Sequence, residues 1–241
     1  MDARLISWMA TVAVAVAMSA GAALFYYLGP DTRPRPETDP AVFMAPAPMT
    51  PEAPAGTPRY GLQAAADAGL IEYAVTGNGN SSGDALLLHV RRLSDAPVDV
   101  YVAPGTVFAP DNPDAQRMVA WGVIGMLDLD AENLTPASSI YLPTPDLRSY
   151  VVEAYCLDFA LANPTFQDRL AVIAAPAERA AQVMYESKRS GLSISAIQSA
   201  IWIDEDHLSK QEIQEHFDAS DEEIDQAFDL LKRTPPPRGR A

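Results

Sequence analysis

One cysteine, Cys156, stands in 241 residues, so the chain can form neither an internal disulfide nor a multi-cysteine metal site. Histidine is almost as scarce. His89, His207 and His216 have no metal-ligand spacing, and His207 and His216 are too far apart to share one helix turn. No phosphate-loop Lys-Ser/Thr pair occurs, and the one Gly-x-Ser-x-Gly spacing, Gly79 to Gly83, is followed by a strand pattern and not by the helix a nucleophile elbow opens, so the local signatures of P-loop enzymes and serine hydrolases are missing. Positive charge is also short: 17 Lys and Arg face 32 Asp and Glu, for a net charge of -15. The first 58 residues carry three basic and five acidic groups and the tail after Arg233 two basic ones, so the acidity belongs to Arg59 to Arg233. Phosphate backbones and anionic headgroups repel such a surface, which excludes nucleic acid and peripheral lipid docking. Arginine and alanine far outnumber lysine, a hint of a GC-rich bacterial source.

The longest absence is charge between Leu5 and Leu28. A run of that length covers the roughly 30 Å of a bilayer core, which predicts a single-span, uncleaved signal-anchor helix over residues 1–28. Trp8 at one end and Tyr26 and Tyr27 at the other suit the two interfaces, and Gly29-Pro30 ends the run. Ala13, Ala17 and Gly21 fall four apart, placing small side chains on one face where a second membrane helix could approach. The competing reading is a cleaved signal peptide with Ala20-Gly21-Ala22 at the cleavage site, but the apolar run continues through Leu28. Orientation follows from the short head and long tail: N-inside, with the bulk periplasmic or otherwise extracytoplasmic.

Nine of the thirty residues from Gly29 to Pro58 are proline, so 29–58 reads as an extended linker. From residue 59 to 160, short apolar runs alternate with turn signals, predicting an antiparallel β-sandwich-like domain. Ile71 to Thr76 and Asp84 to Leu93 flank the hairpin loop Gly77 to Gly83. Leu86, Leu88 and Val90 are expected inside, as are Val98, Val100 and Val102, with His89, Asp99 and Tyr101 on outer faces. Further strands are expected over Met118 to Leu129, Ser139 to Leu142 and Tyr150 to Leu157. After Asn163-Pro164 the period lengthens, predicting an acidic helical region over 161–233 and a disordered tail over 234–241. Ser193 is a helix cap, and Ser209 with Glu212 and Ser220 with Glu223 are capping boxes. The fold class is thus α+β: an anchor helix, a β-sandwich-like domain and a small helical end.

Candidate chemistry is sparse. Gly77, Gly79 and Gly83 precede a strand rather than a helix, so they form a turn and not a nucleotide loop. Cys156 lies among Val151, Val152, Ala154 and Leu157, as a buried core thiol does. Asp128, Asp130 and Glu132, like Asp204 and Asp206, lack the glycine and final Glu of a calcium loop. No catalytic, cofactor-binding or metal residue is therefore assigned.

What stands out is acidity: eleven carboxylates and one lysine lie between Asp204 and Asp229. Glu212, Glu215, Asp221, Glu222 and Asp225 form a candidate docking face for a basic protein partner. The expected function is a membrane-held interaction module, an accessory or assembly subunit of a membrane complex. The alternatives are an anchored hydrolase built from Asp99, His89, Cys156 and Asp158, and a calcium-dependent adhesion module.

Overall fold

A computed structural model describes residues 52–128, 133–173 and 176–235. The chain enters through β1 (Arg59–Gly61) and a short α1 (Leu62–Asp67). A run of strands follows: β2 (Ile71–Gly77), β3 (Ser82–Arg92), β4 (Val98–Tyr101), β5 (Val107–Pro110), β6 (Met118–Asp128), β7 (Asn133–Pro136), β8 (Ile140–Leu142), β9 (Arg148–Cys156) and β10 (Arg169–Val172). Four helices complete it: α2 (Glu178–Arg189), α3 (Ile194–Glu205), α4 (Lys210–His216) and α5 (Asp221–Arg233).

Six strands in the order β5-β10-β2-β3-β9-β6 close on themselves through β5 and β6, and β7 adds to the far part of β6. Every ladder of this barrel is antiparallel. A second sheet, β1-β4-β8, lies over one end, with β1 parallel to β4.

Strand alternation explains both the interior and the helix-covered side. Leu86, Leu88 and Val90 of β3 join Tyr150, Val152 and Ala154 of β9 in one apolar cluster. Tyr155 and Leu157 point the other way and, with Val107 and Val119, bury against Val183, Met184, Ile197 and Ile201 of α2 and α3. The register slips in β6 at Ala120/Gly122 and Val123/Gly125 are bulges, each ending on a glycine. They leave Trp121 on the helix side, where Lys188 lies 5.8 Å from its ring centroid.

The β2–β3 hairpin forms where the glycine-rich loop predicts it. Gly79 has φ 92°, a conformation other residues avoid, and the Asn78 side chain accepts the Asn80 N–H at 3.0 Å. Its tip is fastened to Asn163 and Pro164: Gly79 donates to the Pro164 carbonyl, and the Asn163 amide donates to the Gly79 carbonyl. The helical end also follows its local signals. Ser193 caps α3, and both capping boxes are formed. Ile224, Ala227 and Leu230 bury one face of α5, while α3 is covered nearly all round, from Ala196 to Trp202.

Two parts of the expected fold class are corrected. The β-rich part is a closed barrel with an extra sheet, not a sandwich, because β10, in the stretch whose period suggested helix alone, bridges β5 to β2 and completes the ring. The spanning helix expected over Leu5–Leu28 is not found: among the described residues no helix is long and apolar enough to cross a membrane. That stretch lies outside the described residues, with its proposed anchors Trp8, Tyr26 and Tyr27 and its small residues Ala13, Ala17 and Gly21, as do 29–51 of the linker. His89 and Asp99, expected on outer faces, are nonetheless buried, at 2% and 6% exposed.

Candidate functional site

The acidic face is built by α4 and α5. Each helix starts at a serine whose hydroxyl accepts the N–H of the third helical residue, while that residue's carboxylate accepts the serine N–H. The Glu212 carboxylate receives the Ser209 N–H at 2.8 Å and the Ser209 hydroxyl at 2.6 Å, which hold it below the usual carboxylate range. Glu223 repeats this at Ser220 and also accepts the Ser193 hydroxyl at 2.6 Å, linking the start of α3 to α5. Lys210 lies between the helices, 2.7 Å from Asp225 and 3.8 Å from Asp221.

All five residues of the expected docking face are exposed. Glu215 accepts from Gln211 at 2.8 Å, Glu222 from Gln226 at 3.3 Å, and Asp221 from Gln214. A carboxylate offers about four acceptor sites, so each keeps capacity for an incoming cation. Of the five, Glu212 alone is held by a capping box.

Beneath this face sits an aromatic junction. Phe159, in the loop after β9, meets Trp202 of α3 edge-on at 5.0 Å, and Trp202 meets Phe217 at 5.0 Å. Asp206 accepts the Phe159 N–H at 3.0 Å, and Gln198 of α3 both receives the Cys156 N–H and donates to its carbonyl at 2.9 Å. These bonds fasten the helical end to the barrel, so the acidic face is carried by a rigid mount. The sequence marks the start of this helix through the Ser193 cap but gives no signal for Gln198, whose partners are backbone groups forty-two residues away.

The residues of the hydrolase alternative do not converge. His89 pairs with Ser149 across β3 and β9, its Nδ1 2.8 Å from the serine hydroxyl, and burial lowers its pKa to about 4. Cys156 is seven residues further along β9 and on the opposite face, a separation of roughly 23 Å at about 3.3 Å per residue. Burial, with Asp158 nearby, pushes its thiol far above the usual range, the reverse of an activated nucleophile. Asp158 is bound to Arg117 by side chain and backbone, and Asp99 sits in the other sheet, 3.3 Å from Arg59.

The calcium alternative fares no better where it can be placed. Asp204 accepts a fork from Arg179, Asp206 is taken by Phe159, and residues 129–132 lie outside the described residues. Among the described residues no group of three or more His, Cys, Asp or Glu could hold a metal ion.

One feature of the other pole carried no sequence signal. Arg92 ends β3 and Arg148 begins β9, both on the inward side of the barrel end beneath the three-stranded sheet. Periodicity treats a strand-terminal arginine as a solvated boundary; here Arg92 is only 9% exposed. What the geometry defines is a closed six-stranded barrel with a helical acidic cap. Comparison with family models, curated proteins and solved structures finds no match for this chain.

Proposed function

We propose that this chain is a non-enzymatic protein-interaction module at the extracytoplasmic side of a membrane, an accessory or assembly subunit of a membrane complex. The observation that carries the reading is the exposed acidic face of α4 and α5, two helices that each begin in a capping box. Preorganised charge of one sign favours a partner bearing lysines and arginines, and raises its encounter rate. The placement at a membrane rests on the uncharged run from Leu5 to Leu28 in the sequence. The hydrolase alternative loses its support, since its four residues occupy different faces and sheets.

The test is purification of the full-length protein from membranes in mild detergent, beside a Glu215→Lys/Glu222→Lys variant. Those two carboxylates bond only to glutamines of their own helices, so reversal leaves the caps intact. The expected result is a discrete basic protein that co-purifies with the wild type, dissociates as salt rises and is lost from the variant. Equal retention by both forms, or no co-purifying protein with either, overturns the reading.

A further inference from the structure

An ionised group taken out of water without gaining partners is strongly unfavourable, so buried guanidinium groups are normally met by acceptors. Arg92 departs from this. It is 9% exposed, and its Nε and Nη1 are shut off from solvent without a hydrogen bond to the protein. Neither Arg92 nor Arg148 takes part in an ion pair among the described residues, whereas Arg59, Arg91, Arg117 and Arg179 each have a carboxylate.

The two arginines are neighbours. Arg148 stands opposite Val90, and Arg92 lies two residues beyond Val90 on the same face, so the pair is diagonal at roughly 7–8 Å between backbones. Val90 is fully buried in the barrel cluster, and the Arg148 Nη1 contacts Met126, packed against that cluster, at 3.7 Å; both arginines therefore face inward. Thr144, in the turn leading to β9, has a hydroxyl that is likewise buried without a partner. Two like charges on one small face repel each other, and a shared anion reverses that.

We infer that Arg92 and Arg148 form a binding site for a small oxyanion, a phosphate or a carboxylate, at the barrel end beneath the β1-β4-β8 sheet. Guanidinium groups present planar sets of N–H donors suited to both, and two of them on one strand face can make the strong, charge-assisted form of that contact. The chain's net charge of -15 works against casual anion binding, so a response to anions points to this local site. The inference does not depend on the acidic face of α4 and α5 or on its partner.

The experiment is calorimetric titration and thermal melting of the full chain with sodium phosphate and with sodium succinate, each against sodium chloride of equal ionic strength. Arg92→Met and Arg148→Met are compared with Arg189→Met, which removes the same charge from an exposed position on α2. The expected result is a raised melting midpoint in phosphate or succinate beyond chloride, for wild type and Arg189→Met alike, with affinity at least about tenfold weaker in Arg92→Met. Phosphate alone assigns a tetrahedral ligand and succinate alone a carboxylate. In chloride, Arg92→Met melts no lower than wild type, because methionine removes an unpaired buried charge while keeping apolar bulk. Should Arg92→Met fail to fold, Arg148→Met carries the same comparison. No anion response above chloride, or an equal one in the arginine variants, overturns the inference.

Discussion

Acidification is expected to weaken this fold through His89. The ring is 2% exposed, its Nδ1 is engaged with Ser149, and its Nε2 is buried without a partner, so a second proton would add charge where no acceptor waits. Its folded pKa of about 4 lies below the unfolded value of roughly 6.5, so between those limits the unfolded chain binds a proton the native one refuses. Stability therefore falls as pH drops through that window. Linkage gives a loss of about 2 kcal/mol between pH 7 and pH 5, rising to about 3 by pH 4. Asp84 and Glu205, raised chiefly by burial, act in the opposite sense, because their protonation relieves a desolvated charge. Urea unfolding of wild type beside His89→Gln at each pH cancels those shared contributions. A wild-type minus variant difference that stays constant from pH 7 to pH 5 would refute the neutral buried imidazole.

Three other outcomes are expected. Gln198→Leu removes the donor to the Cys156 carbonyl, although the Cys156 N–H keeps the Ser81 carbonyl; a loss of about 1 to 3 kcal/mol should appear in urea midpoints. Gly77→Ala drives its new methyl into the Pro164 carbonyl, and because backbone cannot swing aside it should cost about 3 kcal/mol or more, with Gly61→Ala, whose methyl would meet only the Tyr101 ring at an ordinary 3.8 Å, the milder comparison. The Cys156 thiol, fully buried and raised in pKa, should ignore a disulfide reagent at pH 8 until denaturant is added; native reaction at a free-thiol rate would contradict that burial.

Features specified by neighbours in sequence were legible, and those specified across the chain were not. The two capping boxes span four residues each and form as read. The alternation of Leu86, Leu88 and Val90 and the turn chemistry of Gly77 to Gly83 likewise gave the β2–β3 hairpin. A barrel and a sandwich share that alternation, and what separates them is the pairing of Leu170 with both Val75 and Pro110, about which Arg169–Val172 is silent locally. Strand β1 is three residues long and parallel to β4, too short to show any period. His89 looked solvent-facing because alternation assigns a side of the strand, and being on the outer side does not mean being wet. Of the candidate sites, the acidic face was readable as a run of charge; Arg92 and Arg148, fifty-six positions apart, become a pair only through the β3–β9 register.

The barrel is unevenly sewn. Eight residue pairs join β3 to β9 and eight join β6 to β9, whereas β5 meets β6 through two and β10 meets β2 through two. It is in effect a broad curved sheet, β2-β3-β9-β6, drawn into a tube by two short straps. Local openings follow the thinnest stitching, so the tube can part between β5 and β6 while the broad sheet stays intact. The Ala177 N–H just before α2 is bonded to the Gly105 carbonyl beside that seam. A parting there would loosen the first helix of the cap as well, making the seam the place where a disturbance of the barrel is passed to the helical end.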